Sequence, residues 1–467
     1  MTYGNLEQRL QAHGNTVDLL RNVQSGPRNY PGTPAEYTNW RDEQRAWAET
    51  AALFNQTHHM SELEVRGPDA AKMLSYLAVN SFANMQPDRA KQFVSVSPDG
   101  YVIGDVVLFE RTPGVYELVG RDPILNWATF HASTGEWDVE VELDPRGTAR
   151  TDGLRRQYRF QIQGPNARSI MQKVLGREPQ DIGFFRVAIE RIGGCDVRAL
   201  RHGMAGQPGW ELFGPWADRE RVYDALVSAG ADYGLKLVGG RTYASNTLES
   251  GWIPSPLPAI YTGDGVMQAY REWLSVDHYE ANASIGGSFV SDRIEDYYLT
   301  PWDLSYGGFV NFDHDFIGRE ALQRLADAGG HRTKVTLALE DEDVVRAIAS
   351  QFGPVERRAK YFDTPSAVYA LHPYDEVLVD GRRVGLSTWV GYSANEGKML
   401  TLAMVDAEHA EPGTEVVLVW GEPDGGTSKP TVEPHVQTEI RAIVSPVPYS
   451  KVARTEYAPE SWRAVHV

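Results

Sequence analysis

The stretches "LEVRGPDAAKMLSYL" (Leu63–Leu77) and "YRFQIQGPNARSIMQKVL" (Tyr158–Leu175) share one order. Each opens with residues that alternate as in a strand, passes through Gly-Pro, and then turns to helical period. Proline suits the first turn of a helix, because the amide it lacks would be unpaired there. The strand–Gly-Pro–helix unit, anchored at Gly67 and again at Gly164, predicts two related α/β halves.

The neighbouring segments fill in the first half. Residues 1–27 read as polar and helical, ending near Ser25–Pro27. "EYTNWRDEQRAWAETAALFNQ" (Glu36–Gln56) reads as one helix, capped by Thr38 or Asn39, with Trp40, Trp47, Ala51 and Phe54 at helical spacing. "KQFVSVSPDGYVIGDVVLFER" is two strands joined by a Pro-Asp-Gly turn. "GVYELVGR" adds a strand and "PILNWATFHAS" a helix. From about Lys334 short strands crowd together with glycine turns, predicting a small antiparallel barrel or a jelly roll. The tail from Tyr449 reads as irregular.

Composition sets the limits. A chain of 467 residues exceeds one ordinary core, so roughly two to four domains are expected. Apolar residues at 42% and charged residues at 23% fit a globular protein. No run approaches the roughly 18 apolar residues of a membrane span, and "MTYGNLEQRLQAHGN" lacks the pattern of a signal peptide. A cytoplasmic protein without membrane partners is therefore expected. The net charge of −18 argues against nucleic acid as a partner. Cys195 is the only cysteine, which excludes an internal disulfide, a cysteine zinc site and an iron–sulfur cluster. With 12 tryptophans and 22 tyrosines the chain suits an aromatic ligand, although such residues also serve ordinary packing.

Familiar catalytic motifs are missing. There is no phosphate-binding P-loop, no dinucleotide fingerprint, no H-E-x-x-H and no G-x-S-x-G. In "FNQTHHMSEL" (Phe54–Leu63) His58 and His59 are adjacent, so on a strand they would point to opposite faces and chelate poorly. No metal is expected.

Several segments together resemble the folate-binding aminomethyltransferase (glycine cleavage T-protein) superfamily, in order and over nearly the whole chain. They are "LFNQTHHM", "VRGPDA", "GYVIGDVVLFE", "QPGWELFGP", "TPWDLSYGGFVNFDHDFIGREAL" and "GLSTWVGYSANEGKMLTLAMVD". "YPGTPAEYTNWRDEQRAW", "GGRTYASNTLESGWIPSPLPAIYTGD" and "TEIRAIVSPVPYSK" are more similar to its tetrahydrofolate-dependent aromatic O-demethylases, which act on vanillate, syringate and related methoxybenzoates such as dicamba. The resemblance implies an α+β, three-domain fold. Two intertwined α/β subdomains within residues 1–330, the second from about 155, would surround a central folate channel. An antiparallel β-barrel would follow over 331–467.

It also implies a reaction and roles. Moving a methyl group from an aryl ether to N5 of tetrahydrofolate needs aligned reactants, a proton or hydrogen bond for the departing phenolate, and a cation for the substrate carboxylate. By spacing alone Arg121 reads as a surface arginine paired with Asp122; the resemblance makes it the expected carboxylate ligand, with Tyr30 beside it. His59 and Tyr243 are the candidate proton donors, Gln56 an orienting group, and His58 a packing residue or distal substrate contact. Glu211 matches the pterin-binding carboxylate and Asp105 an acidic position near the folate, where a structural carboxylate serves equally well. Trp252 walls folate or substrate, or belongs to the core. Two rival readings stay open. One is an aminomethyltransferase, or another folate-dependent demethylase acting on an amine or sulfonium. The other is a folate-binding protein without catalysis.

Overall fold

The computed structural model describes residues 3–23, 32–147, 154–254, 256–426 and 428–457. Within them the two Gly-Pro units fall into two different sheets. The first supplies strand Ser61–Arg66 and helix Ala70–Leu77. That strand lies in an antiparallel five-stranded sheet, ordered Ala90–Val96, Val102–Thr112, Val115–Gly120, Ser61–Arg66, Glu140–Asp144. The second supplies strand Gln157–Gln163 and helix Ala167–Leu175. Its six-stranded sheet runs Leu235–Val238, Ala51–Asn55, Gln157–Gln163, Gly209–Pro215, Cys195–Arg201, Val187–Ile192. Only the pair Leu235–Val238 and Ala51–Asn55 is parallel.

The two glycines do the same work in each unit. Gly67 and Gly164 sit at φ of +130° and +121°, and a Cβ would lie 2.5 Å from Asp138 O and 2.8 Å from Thr50 O. A neighbouring segment's backbone passes where any side chain would be.

Strand Ala51–Asn55 corrects the long helix expected over Glu36–Gln56. The helix is Trp40–Glu49, capped by the Asn39 side chain on the amide of Asp42 at 3.1 Å. Ala51 to Phe54 are buried between two strands, and Phe54 stacks back on Trp47 with ring centroids 6.0 Å apart. A short apolar run fits either period, and here pairing with both neighbours decides it. The N-terminal helix divides into Leu6–His13 and Thr16–Arg21 at Gly14, φ +74°. The Pro-Asp-Gly hairpin forms as expected, closed by Gly100 N on Ser97 O at 2.8 Å.

The last third forms a closed six-stranded antiparallel barrel, which decides against the jelly roll. Its strands run in the order Thr333–Leu339, Lys398–Val405, Arg382–Ser393, Asp375–Val379, Glu415–Trp420, Thr438–Ser445. Closure leaves no strand edge to pair elsewhere, and Leu337, Val377, Leu418 and Trp420 fill the interior. The tail is not wholly irregular, since Ala453–Tyr457 makes a wide helical turn. Among the described residues no helix is long and apolar enough to cross a membrane.

Candidate functional site

A cavity opens where the two sheets and the barrel meet, enclosing about 1760 Å³ of empty space, its mouth included. Gln56, His59, Asp105, Arg121, Glu211, Tyr243 and Trp252 all line it.

One wall is built on the crossover between the sheets. The chain leaves strand Ala51–Asn55, turns through residues 56–60, and enters strand Ser61–Arg66 of the other sheet. Both histidines therefore sit in a turn rather than a strand, and the turn separates them. His59 Nε2 lies 2.9 Å from Tyr243 Oη, with the rings edge to face at 4.8 Å. Gln56 Nε2 donates to Tyr243 Oη at 3.3 Å and to Met204 Sδ at 2.7 Å, while its buried Oε1 has no partner among the described residues. His58 does not line the cavity, so of the two roles read for it the structure shows packing. Its ring meets Trp216 edge-on at 5.6 Å and fills the space over Gly32 and Gly147.

Tyr243 ends a short helix, Gly240–Tyr243, separate from the following Thr247–Ser250 helix. Buried Glu43 fixes that helix from its N-terminal side, accepting the Gly239 amide at 2.8 Å and the Thr242 hydroxyl at 2.5 Å. A negative charge is favourable at that end. From the other side Trp389 Nε1 donates to Ala244 O at 2.8 Å. Trp389 sits at a bulge of the barrel strand Arg382–Ser393 with φ +64°, a costly conformation for a bulky residue.

The five-stranded sheet supplies the facing wall. Asp105 is half-buried, and its Oδ2 accepts from Tyr306 Oη at 3.1 Å and from Gln92 Nε2. Burial raises its carboxyl above the ordinary range; hydrogen bonds from Tyr306, Trp252 and Gln92 and the charge of Arg121 pull it back in part. Trp252 Nε1 also donates to Tyr306 Oη at 2.9 Å, so this tryptophan is both wall and hydrogen-bond relay. Arg121 occupies the cap position of helix Asp122–Ser133, whose Asp122 accepts the Ser61 hydroxyl at 2.6 Å.

Glu211 projects from strand Gly209–Pro215. One of its oxygens accepts Arg159 Nη1 at 2.7 Å, and the second has no partner among the described residues. Arg159 is buried and also holds Glu62 at 2.7 Å and Glu117 at 3.2 Å. Tyr30 lies outside the described residues. Met204, Gln92, Tyr306 and Trp389 were not singled out from sequence. Tyr306 stood within the quoted "TPWDLSYGGF", whereas the left-handed turn of Trp389 leaves no mark in composition or period.

The comparisons agree with this architecture. Residues 8–255 match the GCVT N-terminal domain family, and residues 357–422 match the glycine cleavage T-protein C-terminal barrel domain. A syringate O-demethylase from a Sphingobium species is 61% identical, covering 98% of each chain. A sesamin methylene transferase from a Sinomonas species is 31% identical over 89% of this chain and 90% of its own. An aminomethyltransferase from Streptomyces avermitilis is 27% identical over 82% of this chain and 85% of its own. The crystal structure of glycine cleavage system aminomethyltransferase T from Bartonella henselae superposes with a TM-score of 0.61 at 16% identity. It covers 92% of this chain and 95% of that one, a likeness of fold. The chain belongs to the glycine cleavage T-protein family.

Proposed function

We propose that the protein is an aromatic O-demethylase. It would move the methyl group of a methoxybenzoate to N5 of tetrahydrofolate, giving a phenol and 5-methyltetrahydrofolate. The observation that carries this reading is the Tyr243–His59 pair, 2.9 Å apart, in one cavity with Arg121. The 61% identity to a syringate O-demethylase supports it.

The cavity suits a pterin. The unpartnered second oxygen of Glu211 can accept from its N3–H or 2-amino group, and the orphaned Oε1 of Gln56 offers another acceptor. Trp252 would pack against the same ligand. Tetrahydrofolate, when bound, would supply the N5 lone pair that takes the methyl carbon, and the N5 proton released to solvent would balance the one the phenolate gains. Arg121 holds the ring carboxylate through two parallel charge-assisted hydrogen bonds, with Tyr30 as a further contact. As the oxygen–methyl bond breaks, Tyr243 Oη gives its proton or a hydrogen bond to the phenolate oxygen. His59 Nε2 holds the tyrosine hydroxyl and can replace its proton; Gln56 Nε2 keeps that hydroxyl aimed. Vanillate, syringate, 3-O-methylgallate and dicamba all carry the required carboxylate and methoxy group.

One feature favours a second reading, one-carbon transfer from an amine. Asp105, a half-buried carboxyl with its pKa raised, suits proton exchange with a nitrogen donor. Anaerobic incubation with tetrahydrofolate and the methoxybenzoate panel separates the two. Formation of 5-methyltetrahydrofolate with a free phenol is expected. Folate binding without methyl transfer from any aryl ether would sink the demethylase reading.

A further inference from the structure

A second cavity adjoins the first and shares Gln92, Phe184, Phe185 and Phe309 with it. Its remaining wall carries Arg89, Lys91 and Arg186 and, among the described residues, no carboxylate. In a chain of net charge −18 such a cluster calls for a reason. Arg89 and Arg186 are directly paired across an antiparallel bridge, where like charges oppose folding. Arg186 has Asp88 at 3.1 Å. The Arg89 guanidinium has no hydrogen-bond or ion-pair partner among the described residues, and Lys91 Nζ donates to a neutral acceptor, Ser81 O. Burial, and then the charge of Arg89, lower Lys91 to about 8, with Asp313 opposing; burial and Arg186 lower Arg89 in turn. Positive charge is thus gathered, partly desolvated and left short of partners, the condition of a site built for an anion.

We propose that this second cavity binds the carboxylates of the folate's glutamyl tail, with Arg89 and Lys91 as the principal contacts and Arg186 as a flanking one. The inference rests on the folate-dependent reading above. With the pterin at Glu211, the benzoyl ring passes the shared Phe184 and Phe309, and the tail emerges among the cations. Every added glutamate brings another carboxylate, so affinity grows with tail length. The aromatic acid, with its single carboxylate, stays with Arg121.

The test titrates the full chain, without oxygen, with tetrahydrofolate carrying either one glutamate or four. The wild type should hold the longer tail roughly tenfold tighter, the yield of about one charge-assisted contact. That ratio should fall toward one in Arg89→Gln and in Lys91→Gln, and in high salt. Lys398→Gln, which removes a barrel cation paired with Asp341 at 2.8 Å, should keep it. A ratio of two affinities does not depend on how much of a variant is folded. Equal affinity for both tails in the wild type overturns the proposal. So does a preference that survives both substitutions, or variants that weaken the aromatic acid instead. If neither folate binds, the demethylase reading fails and takes this one with it.

Discussion

The five-stranded sheet meets the cavity with Gln92, Asp105 and Arg121, whereas the six-stranded sheet meets it with Glu211. Both grew from the same strand–Gly-Pro–helix unit, yet their charges are managed differently. Glu211 is held by Arg159, which Glu62 and Glu117 of the other sheet also grip, so a single guanidinium ties the two halves together. Asp105 is instead held by neutral donors from Gln92 and Tyr306. One sheet carries its charge in a structural clamp; the other keeps polar groups available at the cavity. The reacting pair belongs to neither strand set. His59 lies on the crossover and Tyr243 on a helix that follows strand Leu235–Val238.

That division can be broken experimentally. Tyr243→Phe removes the hydroxyl that faces the leaving oxygen, and kcat should fall about 10²–10⁴-fold with little change in KM for either reactant. A loss confined to KM in single-turnover kinetics would move the tyrosine from chemistry to binding. Arg159→Met should leave the buried carboxylates of Glu62 and Glu211 without their guanidinium, while Glu117 keeps Arg111 at 2.7 Å, and cost about 3–5 kcal/mol in urea unfolding. An unchanged midpoint would mean that the clamp does not join the sheets.

Arg121→Ala should raise KM for a methoxybenzoate roughly 10–100-fold, the scale of a lost charged hydrogen bond, while KM for folate holds. Equal damage to both constants would blur the separation of the walls. The smallest effect is one of pH. Glu280, whose Oε1 accepts from Asn126 of helix Asp122–Ser133 at 2.8 Å, has a buried Oε2 with no partner among the described residues. Burial raises it from 4.5 to about 7. A raised carboxyl stabilises the fold fully below pH 4.5, and that contribution is lost as pH climbs through 7. Glu280→Gln should therefore gain in Tm relative to wild type between pH 5 and 7.5, by the equivalent of about 1–3 kcal/mol. A constant difference across that range would place the ionisation elsewhere.

Much of this was legible in the chain. The duplicated Gly-Pro unit announced two sheets because only glycine allows a backbone to pass so closely at Gly67 and Gly164. The hairpin at Ser97–Gly100 and the strand spacing of the barrel were equally plain, since both depend on local turn chemistry. The extent of the Trp40–Glu49 helix was not, because Ala51 to Phe54 owe their form to strands far away in sequence. Gln56, His59, Arg121, Glu211 and Tyr243 were reached through the resemblance, and the structure brings them together. His58, read as packing or a distal substrate contact, packs on Trp216, since a turn sends the two adjacent rings to different neighbours. Met204 and Gln92 escaped notice because their importance is wholly one of tertiary neighbours.

The bulge at Trp389 carries a wider consequence. A domain that supplies none of the proposed reacting groups nevertheless grips the residue next to Tyr243, and it lends His372, Trp389, Pro448 and Ala453 to the cavity wall. Proposed chemistry and part of the cavity wall are thereby lodged in different stretches of the chain. Exchange of barrel loops between relatives could reshape which rings are accepted while the tyrosine–histidine pair stays as it is, a route to new substrates that leaves the reaction intact.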